Sequence, residues 1–445
     1  MKKQEIIEIL NDWNFWNKEL ESGFNREKYL KKCESYLKSN VIISLIGLRR
    51  SGKSFIMRQM IKRLIGRGVD KKNILMVNFE DRRFIEFYPK IIDEIYEVYL
   101  EMSRTLGLKS GACSRVVKNP LILERTQEFK CQNSWCLEHH QDLNLLSHEL
   151  KQGDYANANL EVLKPDKQQY IFLDEIQNVP NWERWVRTIH ELGKAKIIIS
   201  GSNSKLLAGE LASVLTGRHL DVEVRPLDFR EFLNFKKIKI ENELDIIERK
   251  SEIKSNFNEY IEWGGFPEVV LSNEKKQLLF SYYDDILTKD IQKRYKIRKN
   301  EKLFALARFY LTNISNPITF NSIKRFIETS VSTTEKFSSY LEEANLLFFI
   351  KRFSYKVKEQ EKSYRKVYAA DIGLFNSVGF KFTPNLGKIS ENLVAIKLLD
   401  NSNKNKEVYY WNDGKGEVDF IIKENLEIKQ LIQVCYDIDN RETKE

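Results

Sequence analysis

Residues 47–54 read GLRRSGKS, between the apolar run VIISLI (41–46) and FIMRQMIKRLI (55–65). The spacing G-x-x-x-x-G-K-[ST] is filled by Gly47, Gly52, Lys53 and Ser54. Glycines let the backbone curl so that its N–H groups point inward at phosphate oxygens. A helix that starts at such a turn presents its positive end to the same anion. In this reading Lys53 reaches the β- and γ-phosphates and the Ser54 hydroxyl holds Mg²⁺. The flanks agree: a β-rich run precedes, and Phe55, Ile56, Met60, Ile61 and Leu64 follow near helical spacing. The expected ATP-binding positions are Gly47, Arg50, Ser51, Gly52, Lys53, Ser54 and Phe55. The competing reading is a chance glycine-rich turn.

Nucleotide hydrolysis needs a carboxylate on the metal side at the end of another strand. QYIFLDEIQNV (169–179) supplies a buried-strand pattern ending in Asp174 and Glu175. Asp174 is expected to orient Mg²⁺ with Ser54, and Glu175 to polarise the attacking water. KAKIIISGSNSKLL (194–207) is a further apolar strand with a small polar end. Its Ser202 or Asn203 either senses the γ-phosphate or makes a turn; Asn203 is carried as the candidate. Arg218, before the alternating HLDVEV (219–224), is either an arginine finger, acting in cis or in trans, or a surface arginine. Strands at 41–46, 73–79, 170–174, 196–201 and 219–225, alternating with helical stretches, predict a parallel sheet in an α/β domain. Ligand is expected at the carboxyl ends of those strands.

Composition sets outer bounds. A chain of 445 residues with 42% hydrophobic residues has room for two to four domains. No apolar run approaches the roughly 18 residues that span a bilayer, and MKKQEIIEILNDW (1–13) has no apolar signal-peptide core. A cytoplasmic protein without membrane attachment is expected. Five sparse cysteines suit a reducing compartment. A net charge of +9 fits either a nucleic-acid partner or a lysine-rich solvated surface.

The blocks GLRRSGKS, IFLDEIQNVPNWERW (171–185), IIISGSNSKLL (197–207), LTGRHLDVEVRPLDFREFL (215–233), YIEWGGFPEVV (260–270) and YYDDILTKDIQKRY (282–295) are ordered along the chain. Together they resemble the prokaryotic, especially archaeal, AAA-type ATPases with a winged helix and a C-terminal PD-(D/E)XK nuclease-like domain. The resemblance implies ATP and Mg²⁺, with Lys53, Ser54, Asp174 and Glu175 at matching positions. It implies a P-loop parallel sheet of the ASCE/AAA type, then a helical lid, a winged helix-turn-helix and a small α/β nuclease-like domain. The expected divisions are 1–230, 231–300, 301–375 and 376–445, the last ending early for this family.

The Lys53–Asp174 interval is long for such a family, with the excess at about 104–164. Cys131, Cys136, His139 and His140 lie there, as a zinc site or simply as a surface insertion. Residues 301–370 carry a helix-turn-helix pattern with a turn near Ser330, followed by two strand-like runs. Lys351, Arg352, Lys356, Lys358, Lys362, Arg365 and Lys366 surround the expected wing. The module either binds double-stranded DNA or packs against protein.

In the last segment Glu391 and Asp419 match the nuclease-like carboxylates. LIQVCYDI (431–438) is read as the strand that should carry Glu-x-Lys, and Gln433 and Cys435 stand at those positions. A thiol cannot supply an ammonium. A literal Glu-x-Lys, Glu427 and Lys429, lies closer to Asp419 in sequence. Cleavage is expected to be weak or absent. The functional alternatives are an ATPase driving a conformational switch, an ATP-gated nuclease in defence or repair, and a nucleotide-dependent scaffold for a protein partner. An oligomer is compatible with each.

Overall fold

The computed structural model describes residues 1–111, 168–202, 217–298, 300–379, 386–400 and 406–436. The cysteine–histidine cluster at 131–140 and Asn203 lie outside the described residues. Five strands form one parallel sheet: β1 (Ile42–Ile46), β2 (Ile74–Asn78), β3 (Gln169–Asp174), β4 (Ala195–Gly201) and β5 (His219–Glu223), in the order β2-β3-β4-β1-β5. All five expected strands are present. Their continuous apolar character is explained by burial on both faces. Leu75 and Val77 face a cluster with the helices Lys3–Trp13, Ile91–Gly111 and Trp182–Glu191. Their neighbours Ile74 and Met76 face the opposite cluster, with the helices Glu27–Leu37 and Lys53–Gly66. This is the period-two alternation of a strand, covered by helices on each side. The arrangement is the α/β fold of a P-loop NTPase.

After the sheet the chain turns helical, from Phe229–Phe235 through Lys250–Trp263 to Lys275–Asp285. The helix Asn300–Thr312, β6 (Pro317–Ile318), the helices Phe320–Phe326 and Val331–Glu343, β7 (Leu347–Lys351) and β8 (Arg365–Ala369) follow. Thr319 and Ser330 cap the two middle helices by accepting from the amides of Ser322 and Thr333. The strands pair antiparallel in the order β6-β8-β7. The helix Leu386–Asp400 and the antiparallel strands β9 (Lys406–Asn412), β10 (Glu417–Glu424) and β11 (Glu427–Ile432) complete the described chain.

The expected divisions at 300 and 375 are not breaks in packing. One buried cluster joins Phe266, Tyr282 and Leu287 to Leu306, Leu341, Leu374 and Ile389. Two glycines of WGGFP explain part of this closure. Gly264 has φ 75° and ψ −161°, a region essentially restricted to glycine. A Cβ there would lie 2.1 Å from Asp371 Oδ1, and one on Gly265 would lie 2.2 Å from the Leu227 carbonyl. Asp371 accepts from the amides of Gly265, Gly373 and Leu374, tying this turn to the helix Ile372–Val378.

Gly264→Ala is therefore expected to destabilise the protein by at least about 1–3 kcal/mol. The midpoint of denaturant unfolding measures this, and an unchanged midpoint would show that the turn relaxes freely.

Candidate functional site

The parallel sheet brings the carboxyl ends of β1, β3 and β4 together. Gly47 follows β1 with φ 140°, and an added Cβ would lie 2.1 Å from the Val224 carbonyl. Only glycine lets the loop leave the sheet so close to the next chain segment. Gly52, at φ 97°, is the N-cap of Lys53–Gly66, and no side chain caps that helix. Among the described residues its first-turn amides thus have no side-chain acceptor, as an anion cradle requires.

Lys53 is almost fully buried, with Nζ donating to the carbonyls of Gly47 (3.0 Å) and Leu48 (3.1 Å). Its ammonium lies 3.9 Å from Glu175 Oε1. The loop's own carbonyls thus hold the cation beside the acidic pair. Arg50 is half-exposed at φ 66°, over the Tyr282 ring and 3.8 Å from Glu268. Phe55 is partly exposed and carries Arg58 over its ring. Ser51 is fully buried, and its hydroxyl lacks a hydrogen-bond partner among the described residues.

Asp174 ends β3 and is 1% exposed. Ser200 donates a hydrogen bond to it, and the nearby Ser54 hydroxyl favours its charged form. Ser200 Oγ also accepts from the Glu175 amide at 3.1 Å, so one hydroxyl orients both acids. Burial, then the adjacent Glu175 charge, push the Asp174 carboxyl up from the usual carboxylate range. Its Oδ2 is buried with no hydrogen-bond partner among the described residues. A buried carboxylate oxygen without a donor needs a cation. An all-oxygen set with Ser54 beside it suits Mg²⁺, so these residues fit the metal that the sequence implies. Glu175 occupies the left-handed region at φ 53°. For a non-glycine residue this costs about 1–2 kcal/mol, the kind of strain held at functional sites.

Two residues at the loop carry no local sequence signal for their role. Arg26 is buried, donates to the Ser51 carbonyl at 2.8 Å and forms a two-pronged pair with Glu231. Ser200 stands within a strand of isoleucines and reads as polar punctuation until the sheet sets it beside Asp174. Ser202, the alternative to Asn203, is fully buried and donates to Asp290 at 3.1 Å.

Arg218 is not brought to this site. Its carbonyl accepts from the Ile42 amide, at the start of β1, and its guanidinium pairs with Glu191. The phosphate loop leaves the other end of β1, about 16 Å away at roughly 3.3 Å per residue. In a parallel sheet a residue preceding a strand lies at the edge opposite the ligand. Within this chain the structure therefore does not bring Arg218 to the phosphate loop.

The C-terminal carboxylates do converge, but on an ammonium. Lys366 Nζ, from β8, lies 2.9 Å from Glu391 and 3.1 Å from Asp419, and also contacts Glu417. Tyr368 OH donates to Glu391 at 2.7 Å. Lys366 is 1% exposed. Burial, the largest single influence, lowers its pKa; Glu391, Glu417 and Asp419 more than offset this and keep it charged. Its expected place on an exposed basic wing is thus corrected: Lys366 faces inward from β8. Lys351 and Arg365 pair with Glu361, and Lys356 with Glu359. LIQVCYDI is not one strand. β11 ends at Ile432, Gln433 Oε1 accepts from the Asp419 amide at 3.3 Å, and the Val434 amide donates to Asp419 at 2.9 Å. Glu427 and Lys429 pair with each other on an exposed strand, and Glu427 stands opposite Glu424, at the far end of β10 from Asp419.

A sequence family described as an AAA domain matches residues 39–113 and 118–233, and a domain of unknown function, DUF8612, matches 254–385. A protein of Methanocaldococcus jannaschii described as uncharacterized is 31% identical over 425 residues, covering 93% of this chain and 79% of its own. This chain therefore belongs to one family with that protein, and its residues 39–113 and 118–233 match an AAA domain. A Haemophilus influenzae protein, also described as uncharacterized, is 26% identical over 93% of the chain and 87% of its own length. A Walker-type ATPase of Pyrococcus abyssi superposes with a TM-score of 0.46 at 14% identity, over 80% of this AAA-domain chain and 95% of its own, too loosely to carry an argument. Among the described residues no helix is long and apolar enough to cross a membrane.

Removing one member of a buried ion cluster leaves the others uncompensated, at about 3–5 kcal/mol. Lys366→Met is expected to lose stability on that scale, and adding Glu391→Gln and Asp419→Asn should restore much of it. Equilibrium unfolding of the single and triple variants decides; equal losses in both would show that Lys366 acts through packing alone.

Proposed function

We propose that this AAA-domain chain binds and hydrolyses ATP at the 47–54 loop. The observation that carries the proposal is the buried Asp174 carboxylate, held by Ser200 near Ser54, with one oxygen lacking a donor among the described residues, beside Lys53 and Glu175. The loop amides and the start of Lys53–Gly66 bind the phosphates. Lys53 exchanges the Gly47 and Leu48 carbonyls for phosphate oxygens. Ser54 and Asp174 hold Mg²⁺, which when bound neutralises developing phosphate charge. Glu175 accepts a proton from the attacking water, and Ser200 fixes its backbone. Arg50, Ser51 and Phe55 line the loop. Arg218 serves as a finger only if a second subunit supplies it.

We further propose that 300–369 acts as a winged helix and that the segment from 386 onward is a nuclease-like fold without cleavage. The α-β-α-α-β-β order, with the short helix Val357–Lys362 in the connection between the last two strands, and the Ser330 cap support the first reading. Lys366 among the carboxylates, where a nuclease places a divalent metal, supports the second. ATP turnover then drives a conformational switch of these parts, acting on double-stranded DNA or on a protein partner. A scaffold role is favoured over gated cleavage by Asp400, which ends the helix Leu386–Asp400 and pairs with Lys28 (2.9 Å) and Arg225 (3.0 Å) of the ATPase core.

Lys53→Ala is expected to abolish ATP binding, while Glu175→Gln binds ATP and loses about 10²–10⁴-fold in turnover. Turnover measured with and without duplex DNA checks both, and full activity in Glu175→Gln would remove it as the base. In a plasmid assay with Mg²⁺ or Mn²⁺ no nicking is expected. Nicking that disappears in Asp419→Ala would reverse the nuclease reading.

A further inference from the structure

The helix Lys275–Asp285 continues as a π-helical stretch, Ile286–Lys293. Such turns are rare and are found frequently at functional sites. Asp290, a charged residue of this stretch, is buried along with its apolar neighbours. Arg49 Nε donates to both its oxygens, at 3.4 and 3.2 Å, and Ser202 Oγ donates at 3.1 Å. Arg49 belongs to the phosphate loop, and Ser202 follows β4 directly. The other end of the Arg49 guanidinium donates to Glu80 at 2.6 Å. Burial alone would lower the Arg49 pKa; Asp290 and Glu80 more than offset this, so the arginine is held charged. The same stretch packs Ile286, Leu287 and Ile291 into one core with Leu303 and Leu306 of Asn300–Thr312. That helix opens the helix-turn-helix region. Asp290 thus touches the two loops that end β1 and β4, from an element rooted in the C-terminal half.

We propose that Asp290 is a positioning residue that competes with a bound triphosphate for Arg49 and so couples the phosphate loop to the helix-turn-helix region. The inference rests on the ATP reading above and names the group that responds to the nucleotide. A guanidinium fork pairs equally well with carboxylate and phosphate, but one face serves one partner at a time. A γ-phosphate brings more negative charge than Asp290 and draws Arg49 away. Asp290 is then a buried carboxylate left with the Ser202 hydroxyl, which is unfavourable in a dry site. The π-helical stretch relieves this by shifting, and the helices packed on it move with it. ADP, lacking the γ-phosphate, leaves the Arg49–Asp290 pair closed.

The test compares ADP with a non-hydrolysable ATP analogue, both with Mg²⁺, on the full chain. Equilibrium binding is expected to show Asp290→Asn tightening the analogue about fivefold or more, with ADP affinity unchanged. A merely structural defect would weaken both. In the unmodified chain, which needs no variant to fold, the analogue should raise backbone hydrogen exchange across 286–293 relative to ADP. If both nucleotides bind but Asp290→Asn leaves their ratio unchanged, or the analogue and ADP give equal exchange, this inference falls alone. If the unmodified chain binds neither nucleotide, the ATP reading falls and takes the inference with it.

Discussion

Burying a carboxylate is unfavourable unless donors or a cation surround it. Asp174 meets this condition only in part, and the rest of the core is arranged about that deficit. Ser200 comes from β4, Ser54 from the first turn after the phosphate loop, and Lys53 from the same turn. These groups lie far apart in sequence. They meet because every strand of the sheet runs the same way, so the loops after β1, β3 and β4 all emerge at one edge. A parallel sheet also demands helices on both faces, which explains the two apolar clusters and the long crossovers between strands.

A second set of buried ion contacts fastens this edge to the remainder of the chain. Arg26 reaches the loop from before β1 and pairs with Glu231 after β5. Asp290 reaches it from the helical region, and Asp371 closes the two-glycine turn. Lys366 fills the carboxylate cluster between β8 and the last hairpin. Each is a charge in a poorly hydrated place, strong when paired and costly when not. Continuous apolar packing from Phe266 to Ile389 makes the same region mechanically one piece. A shift at the phosphate loop therefore has a path of packed elements to follow rather than a flexible linker.

The apolar runs gave all five core strands, and the turn chemistry of GLRRSGKS and the acids of QYIFLDEIQNV gave the heart of the site. These are local signals: burial writes hydrophobic runs, and phosphate binding writes glycine and lysine at fixed spacing. For Arg218 the sequence leaves a finger and a surface arginine both open, because Thr-Gly-Arg before a strand says nothing about which end of the sheet that strand begins at. Gln433 and Cys435 carry a strand-like pattern because the apolar run crosses the end of the hairpin without a turn residue. Lys366 has basic neighbours in sequence, which point to a solvent-facing wing, while its neighbours in space are acidic.

By itself the sequence determined the strands, the phosphate-loop turn and the identity of the acids, since each follows from interactions within a few residues. The tertiary structure decided which of the candidate groups share a site. It set Ser200 beside Asp174, Asp290 against Arg49 and Lys366 among Glu391, Glu417 and Asp419, and it moved Arg218 to the far edge. The reason is that pairings between buried charges depend on strand order and on the direction each segment enters the core, and neither is encoded in any single stretch of residues.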